Sequence, residues 1–236
     1  MAKRGSGSVL TEGEKIAGTI FFVIYVAVLP FVTRPALDLL GRMMGVEIGQ
    51  SLGNTLYYYG VFAVTLILFH RFIGRTTRLF VDGLNESLKT LAMGFVAFYG
   101  LNEIVYRIMG MTAAAPKNLN DMTISAQIHA APRTTVLIVV ALAPFVEEVL
   151  FRGLVFGGIR QRSRFAGYAV SCLLFALLHV WQYAVGSHDP SYLLLTVEYL
   201  VPGMVFCWAY EHSGTLWTSI FLHAGVNALS VATLLA

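Results

Sequence analysis

Long apolar runs alternate with short polar connectors along the whole chain. Seven runs are long enough to cross a bilayer, whose hydrocarbon core needs about 20 residues of helix. They are roughly Lys15–Val32, Asn54–Phe72, Leu88–Met109, Thr134–Gly158, Phe165–Tyr183, Ser191–Tyr210 and Gly214–Leu235. Between the first two, Arg34–Gly53 mixes apolar and charged positions. An interfacial helix is expected there, with an eighth short span as the alternative. The longest connector, Gly110–Arg133, is polar, carries Pro116 and Pro132, and is expected to be irregular. At the start, Met1 to Ser8 lacks the apolar region and cleavage site of a signal peptide, so the first run is expected to remain as a helix. The pattern predicts an all-α polytopic membrane protein of about seven, at most eight, transmembrane helices in one integrated domain.

Composition supports a lipid solvent. Of 236 residues 57% are hydrophobic and only 12% are charged, against about 25% charged in ordinary soluble domains. The net charge of +3 is too small to suggest a nucleic-acid partner. Its distribution is more informative. With the N-terminus in the cytoplasm, the inner segments hold Lys3, Arg4, Lys15, Arg71, Arg75, Arg78, Lys89, Arg160, Arg162 and Arg164. The outer segments hold Arg34, Arg42, Lys117 and Arg133. That bias follows the positive-inside rule and predicts a cytoplasmic N-terminus and an extracytoplasmic C-terminus in the cell membrane. The two cysteines, Cys172 and Cys207, both lie in apolar runs and read as packing residues.

Ionisable groups within such runs cost at least ~2.5–3.5 kcal/mol at mid-membrane by insertion scales, which makes them functional candidates. The fourth run holds Glu147, Glu148 and Arg152. Glu148 and Arg152, at i and i+4, share a helix face and suit an ion pair, whereas Glu147 points about 100° away and stays available for chemistry. His179 lies in the fifth run, and His223 with Asn227, again at i and i+4, in the seventh. At 1.5 Å rise per residue, Glu147, His179 and Asn227 lie about 18–20 Å, and His223 about 14 Å, from their cytoplasmic helix ends. Four polar groups on three helices thus share one layer and predict a polar cavity. Pro144 should release the carbonyl of Val140 and kink the fourth helix just before Glu147. Pro202 releases that of Glu198, a residue that either joins the cavity or serves another helix. Gly153 and Gly157 permit close helix approach, and Glu103 with Arg107 reads as a structural pair.

The motifs Glu147-Glu148-x-x-x-Arg152, Phe175-x-x-x-His179 and His223-x-x-x-Asn227 occur in that order. Together they resemble the motif set of the CPBP family of intramembrane proteases. That family includes type II CAAX prenyl endopeptidases, bacterial Abi-type proteins and lysostaphin-resistance-protein-A-like members. The resemblance runs from about Thr134 onward. It implies a catalytic core at 134–236 and, at 1–133, further helices and connectors of the same membrane domain. It implies an endopeptidase acting on a membrane-associated protein or peptide, either CAAX-type or the precursor of a bacteriocin or other peptide. Glu147 and His179 would activate a water, His223 and Asn227 would donate to the oxyanion, and Glu148 with Arg152 would brace the helix. Members are commonly described as metalloproteases, and Glu147, His179 and His223 could supply an O/N/N zinc site. A metal-free glutamate mechanism uses the same residues, and both stay open here.

The sequence lacks the G-x-G-D and H-E-x-x-H signatures of two other intramembrane protease classes, and the seventh run lacks the lysine of a retinal protein. Two readings from other classes remain, a non-catalytic scaffold or immunity protein and a proton-coupled transporter, since mid-membrane carboxylates and imidazoles also build proton paths. Topology is directly testable. A reporter fused after Ala236 is expected to report an extracytoplasmic location; a cytoplasmic signal would break the orientation with seven spans.

Overall fold

The computed structural model of the protein describes residues 10–111 and 118–235. The glycine–serine lead-in, Lys3, Arg4, Pro116, Lys117 and Ala236 lie outside them. Among the described residues there are helices and no strands, and seven helices are long and apolar enough to span a membrane. In chain order the elements are α1 (Glu12–Met44), α2 (Gln50–Leu68), α3 (His70–Asp82), α4 (Leu84–Gly110), α5 (Leu119–Ala130), α6 (Pro132–Ile159), α7 (Arg164–Ser187), α8 (Pro190–Ser213) and α9 (Leu216–Leu235). The chain is an all-α, multi-pass membrane protein.

Three expectations change. Arg34–Gly53 is neither a separate interfacial helix nor an eighth span, because α1 runs on without a break to Met44. It stops where Gly45 takes a left-handed φ of 65° and its N–H returns to Gly41 and Arg42, an αL stop that glycine adopts at no steric cost. The connector 110–133 is not irregular throughout: α5 forms within it, started by Asn118, whose side chain accepts the N–H groups of Asn120 and Asp121. Finally, α3 is a separate amphipathic helix, where sequence spacing offered only a basic connector.

Helix α3 has no side-chain cap of its own, so its first-turn N–H groups need partners from elsewhere. Glu14 of α1 supplies one. Its Oε1 accepts the Phe72 N–H at 2.6 Å, while Oε2 accepts from Thr11 at 2.8 Å and from Arg75 at 3.0 Å. A carboxylate at a helix N-terminus also meets the positive end of the helix dipole. One turn further along α3, the Thr76 hydroxyl accepts the Leu216 N–H at 2.7 Å, and Thr215 donates to the Thr76 carbonyl at 2.9 Å. One short helix therefore fastens both α1 and α9.

Helix α6 is the hub. Of its most apolar stretch 61% is buried inside the molecule, against 39% or less in each other span. Its Gly153 is needed for one close approach, since a Cβ there would sit 2.8 Å from the buried ring of Phe72. The contact that this glycine admits is thus the α3 ring. The basic segment after α6 also has packing roles. Arg160 lies over Phe156 and Tyr210 at 5.4 and 5.2 Å, and Arg164 makes a two-pronged pair with Glu211 of α8.

Glu14→Ala is expected to leave the Phe72 N–H and Arg75 unpaired beneath a side chain that is 4% exposed, a loss of about 1–3 kcal/mol. Thermal unfolding in detergent should show a lower midpoint for Glu14→Ala than for Glu14→Gln. Equal midpoints for wild type and both variants would remove this clasp from the stability of the fold.

Candidate active site

Helix α6 departs from α geometry on both sides of Glu147. Residues Ile138–Leu142 and Glu148–Phe156 form wider turns with i→i−5 hydrogen bonding, a distortion frequent at functional sites. The cause of the first is readable. Pro144 has no N–H to offer, and its ring cannot sit under an ordinary α turn. Ala143 already bonds to Ile138 five residues back, so the next carbonyl in that register is Val139's, not Val140's as the α pattern predicts. Asn227 of α9 fills the gap, donating from Nδ2 to the Val139 oxygen at 2.9 Å. Pro144 and Asn227 are therefore linked through one carbonyl.

Glu148 organises the interior. Its carboxylate is fully buried, as is Arg152, and the two pair at 3.0 Å. It also accepts from the Ser219 hydroxyl and from His223 Nδ1, the latter at 2.9 Å. Arg152 donates to the Gly203 carbonyl at 3.2 Å and lies 4.2 Å from the centre of the Phe175 ring and 5.2 Å from that of Phe206. An ion pair removed from water needs such additional partners to offset desolvation, and the aromatic faces contribute through cation–π attraction. The brace expected from Glu148 and Arg152 is present, with one extension: it reaches α9 through His223.

That contact orients the imidazole. With Nδ1 donating to the Glu148 carboxylate, Nε2 of His223 is directed to Glu147, 3.9 Å from its Oε2. His179 repeats the arrangement on the other side. Its Nδ1 is 2.9 Å from the Phe175 carbonyl, an acceptor, which places the hydrogen on Nδ1. Its Nε2 is then the free nitrogen, 4.0 Å from the same Oε2. Glu147, 8% exposed as a residue, thus faces two imidazole nitrogens from two helices. The sequence argument turned Glu147 away from Glu148; in the fold both carboxylates meet His223 on different nitrogens.

The rings are held on their faces as well. Phe206 stacks on His223 with centroids 4.5 Å apart, and Tyr199 stacks on His179 at the same distance. Ser219, Phe206 and Tyr199 were not legible as site residues, because a serine or aromatic residue in an apolar run carries no distinguishing spacing. Phe62 of α2 packs edge-on against Phe145 of α6 at 5.0 Å, and Phe22 of α1 against Phe151 at 5.3 Å, so residues before position 134 pack against the helix that carries Glu147. Glu198 accepts from Asn118 at 3.0 Å and serves the connector. Glu103 and Arg107 pair at 2.7 Å on an exposed face, apart from the site.

Glu147, His179 and His223 have the donor chemistry of an open zinc site, and each histidine carries its other nitrogen on an acceptor, as metal-bound histidines do. Among the described residues, however, no group of three His, Cys, Asp or Glu side chains is arranged to hold a metal ion. The residues as placed do not form a metal cage.

The segment 129–229 matches the family described as Rce1-like, type II CAAX prenyl endopeptidase. All of the motif residues lie within this segment, which begins slightly before the position where the motifs set it. Over 192 residues the chain is 24% identical to the Bacillus subtilis (strain 168) protein named "Putative membrane peptidase YdiL", covering 77% of this chain and 71% of that one. Over 86 residues it is 30% identical to the UPF0177 protein YxdF of Lactococcus lactis subsp. lactis (strain IL1403), covering 36% of this chain and 42% of the relative. No solved structure matches the chain at a significant level. The matched segment is less than half of this chain, and the family it matches is described by its CAAX prenyl endopeptidases.

Removing Arg152 is expected to strand a buried carboxylate. Arg152→Ala should cost about 3–5 kcal/mol, read as a lowered unfolding midpoint in detergent. The double variant Glu148→Gln/Arg152→Met should recover part of that loss. A double variant no more stable than Arg152→Ala would show that ring packing, not the stranded charge, sets the cost.

Proposed function

We propose that this protein is an intramembrane endopeptidase in which Glu147 activates a water to hydrolyse a peptide bond of a membrane-associated protein or peptide. The observation that carries the reading is the convergence of two imidazole Nε2 atoms on one carboxylate oxygen, at 3.9 and 4.0 Å. Those gaps are too long for direct hydrogen bonds and short enough for one water to reach both atoms at ordinary hydrogen-bond length. In this mechanism Glu147 takes a proton from the water while the oxygen attacks the peptide carbonyl. His179 orients that water through Nε2. The carbonyl carbon becomes tetrahedral, the C–N bond then breaks, and the proton held by Glu147 goes to the departing amine.

Charge on the former carbonyl oxygen needs donors, each worth about 2.7–4 kcal/mol. His223 serves when both ring nitrogens carry hydrogen, with Nδ1 on the Glu148 carboxylate and Nε2 toward the substrate. Asn227 contributes with the Nδ2 hydrogen not used on Val139. Residues 134–236 are the catalytic core in this proposal, and 1–133 supply enclosing helices of the same domain. The N-terminus lies in the cytoplasm. The bilayer delivers the substrate, and nothing in the site distinguishes a prenyl chain from a helical peptide segment. A divalent metal such as zinc is the competing reading of the same three residues, favoured by the two Nε2 lone pairs and opposed by their spacing.

The test compares wild type with Glu147→Gln and His179→Ala, purified in detergent, against a library of membrane peptides with and without a prenylated C-terminal cysteine. Mass spectrometry should find cleavage by wild type alone, with Glu147→Gln inactive. Activity retained in Glu147→Gln would remove that residue from the mechanism, and equal cleavage by all three would refute the assignment. Cleavage surviving chelation in protein with no bound metal supports the glutamate mechanism. Activity lost on chelation and restored by zinc would replace it.

A further inference from the structure

The proposed mechanism leaves one question about His179 open. Among the described residues its Nδ1 is tied only to a carbonyl of its own helix, one turn back, and that single bond does not stop the ring from turning Nε2 away from Glu147. On one side lies Phe175, tilted by 53° with centroids 4.7 Å apart. On the other, Tyr199 of α8 lies nearly parallel, at 20° and 4.5 Å. A parallel ring at that distance blocks rotation out of the plane, which an edge-on neighbour does only in part.

Tyr199 is itself held from outside the bundle. Its hydroxyl donates to Asn118 Oδ1 at 3.2 Å, and Asn118 Nδ2 lies 3.1 Å from the same hydroxyl and donates to Glu198 Oε2 at 3.0 Å. Asn118 is also the residue that starts α5. The connector before α6 is thereby fastened to two consecutive residues of α8, one of which covers a ring of the site. Neither Tyr199 nor Asn118 touches Glu147, so their role is exerted through His179.

We propose that Tyr199 is a positioning residue whose stacked ring holds His179 Nε2 toward Glu147. The proposal rests on the peptidase reading for its kinetic consequence but not for its structural one. The charged and titratable groups within electrostatic range of His179 are Glu147 and Arg152 of α6, His223 of α9 and Asp121 of α5, with Tyr199 stacked on its ring. Because these carry both signs, the informative readouts are ring orientation and the split between kcat and KM, not a midpoint alone.

The experiment compares wild type, Tyr199→Phe and Tyr199→Ala in detergent, with selectively 15N-labelled histidine and with a peptide that wild type cleaves. In wild type and Tyr199→Phe the His179 signal should show a single tautomer protonated at Nδ1. In Tyr199→Ala it should show a mixture. On cleavage, Tyr199→Ala is expected to lower kcat by roughly 10–100-fold, the scale of small misplacements of a catalytic group, with KM unchanged and with Tyr199→Phe close to wild type. If Tyr199→Ala does not fold, Tyr199→Leu, which keeps bulk without a flat ring, takes its place. A single Nδ1–H tautomer together with wild-type kcat in the variant lacking the ring would overturn the proposal. If wild type cleaves nothing while the tautomers still mix, the positioning role stands and the peptidase reading fails.

Discussion

A carboxylate with no access to water can remain charged only if the protein replaces its solvation, and Glu148 imposes that requirement on the whole bundle. Its oxygens gather Arg152 from its own helix and Ser219 and His223 from α9. Each partner then makes its own demand. Arg152 takes the Gly203 carbonyl and two aromatic faces, which brings α7 and α8 against α6. Four helices are drawn to one point by one charge, in a lipid environment where apolar burial offers little specific drive for helix association. Peripheral fastenings such as Glu14 on α3 can set the outer helices only because this centre already fixes α6 and α9.

The same centre determines which nitrogen of His223 faces the site. A free imidazole has two tautomers and can present either nitrogen. The Glu148 contact selects one, so the orientation of His223 toward Glu147 is a by-product of solvating its neighbour. Adjacent acidic residues on α6 thereby have separate functions, one committed to structure and one left with a pair of imidazoles. The division does not require them to point in opposite directions. It requires only that one of them exhaust its hydrogen-bonding capacity on the scaffold.

Much of this was legible in the chain itself, and the reasons why some was not are physical. Spans follow from apolar length alone, so all seven are found where they are expected, the first running on past its expected end. The pair Glu148–Arg152 is visible because i and i+4 residues meet within one helix whatever surrounds it. The common layer of Glu147, His179 and His223 follows from helical rise. Contacts that depend on rotation or on a change of helical register are invisible to such counting. The continuation of α1 to Met44 was hidden by charged residues that sit on an exposed face, and α5 was hidden by prolines at its borders. Tyr199 carries no spacing signal, because its relation to His179 arises between helices.

Asn227 shows how far motif reading can go and where local geometry must take over. As a sequence position it stands one turn after His223, and resemblance gives it a role on the oxyanion. In the fold one of its amide hydrogens is already committed to Val139, the carbonyl that an i→i−5 turn leaves for a proline with no N–H to give. That bond ties the middle of α9, one turn from His223, to the distorted turn preceding Glu147. In the proposed mechanism a substitution at 227 therefore acts through two routes at once, a lost donor and a loosened α6. Only the second should appear in the stability of the protein without substrate. The proline, the widened turn and the asparagine form one unit: Pro144 creates the unpaired carbonyl, the register places it at Val139, and α9 is held in position by satisfying it.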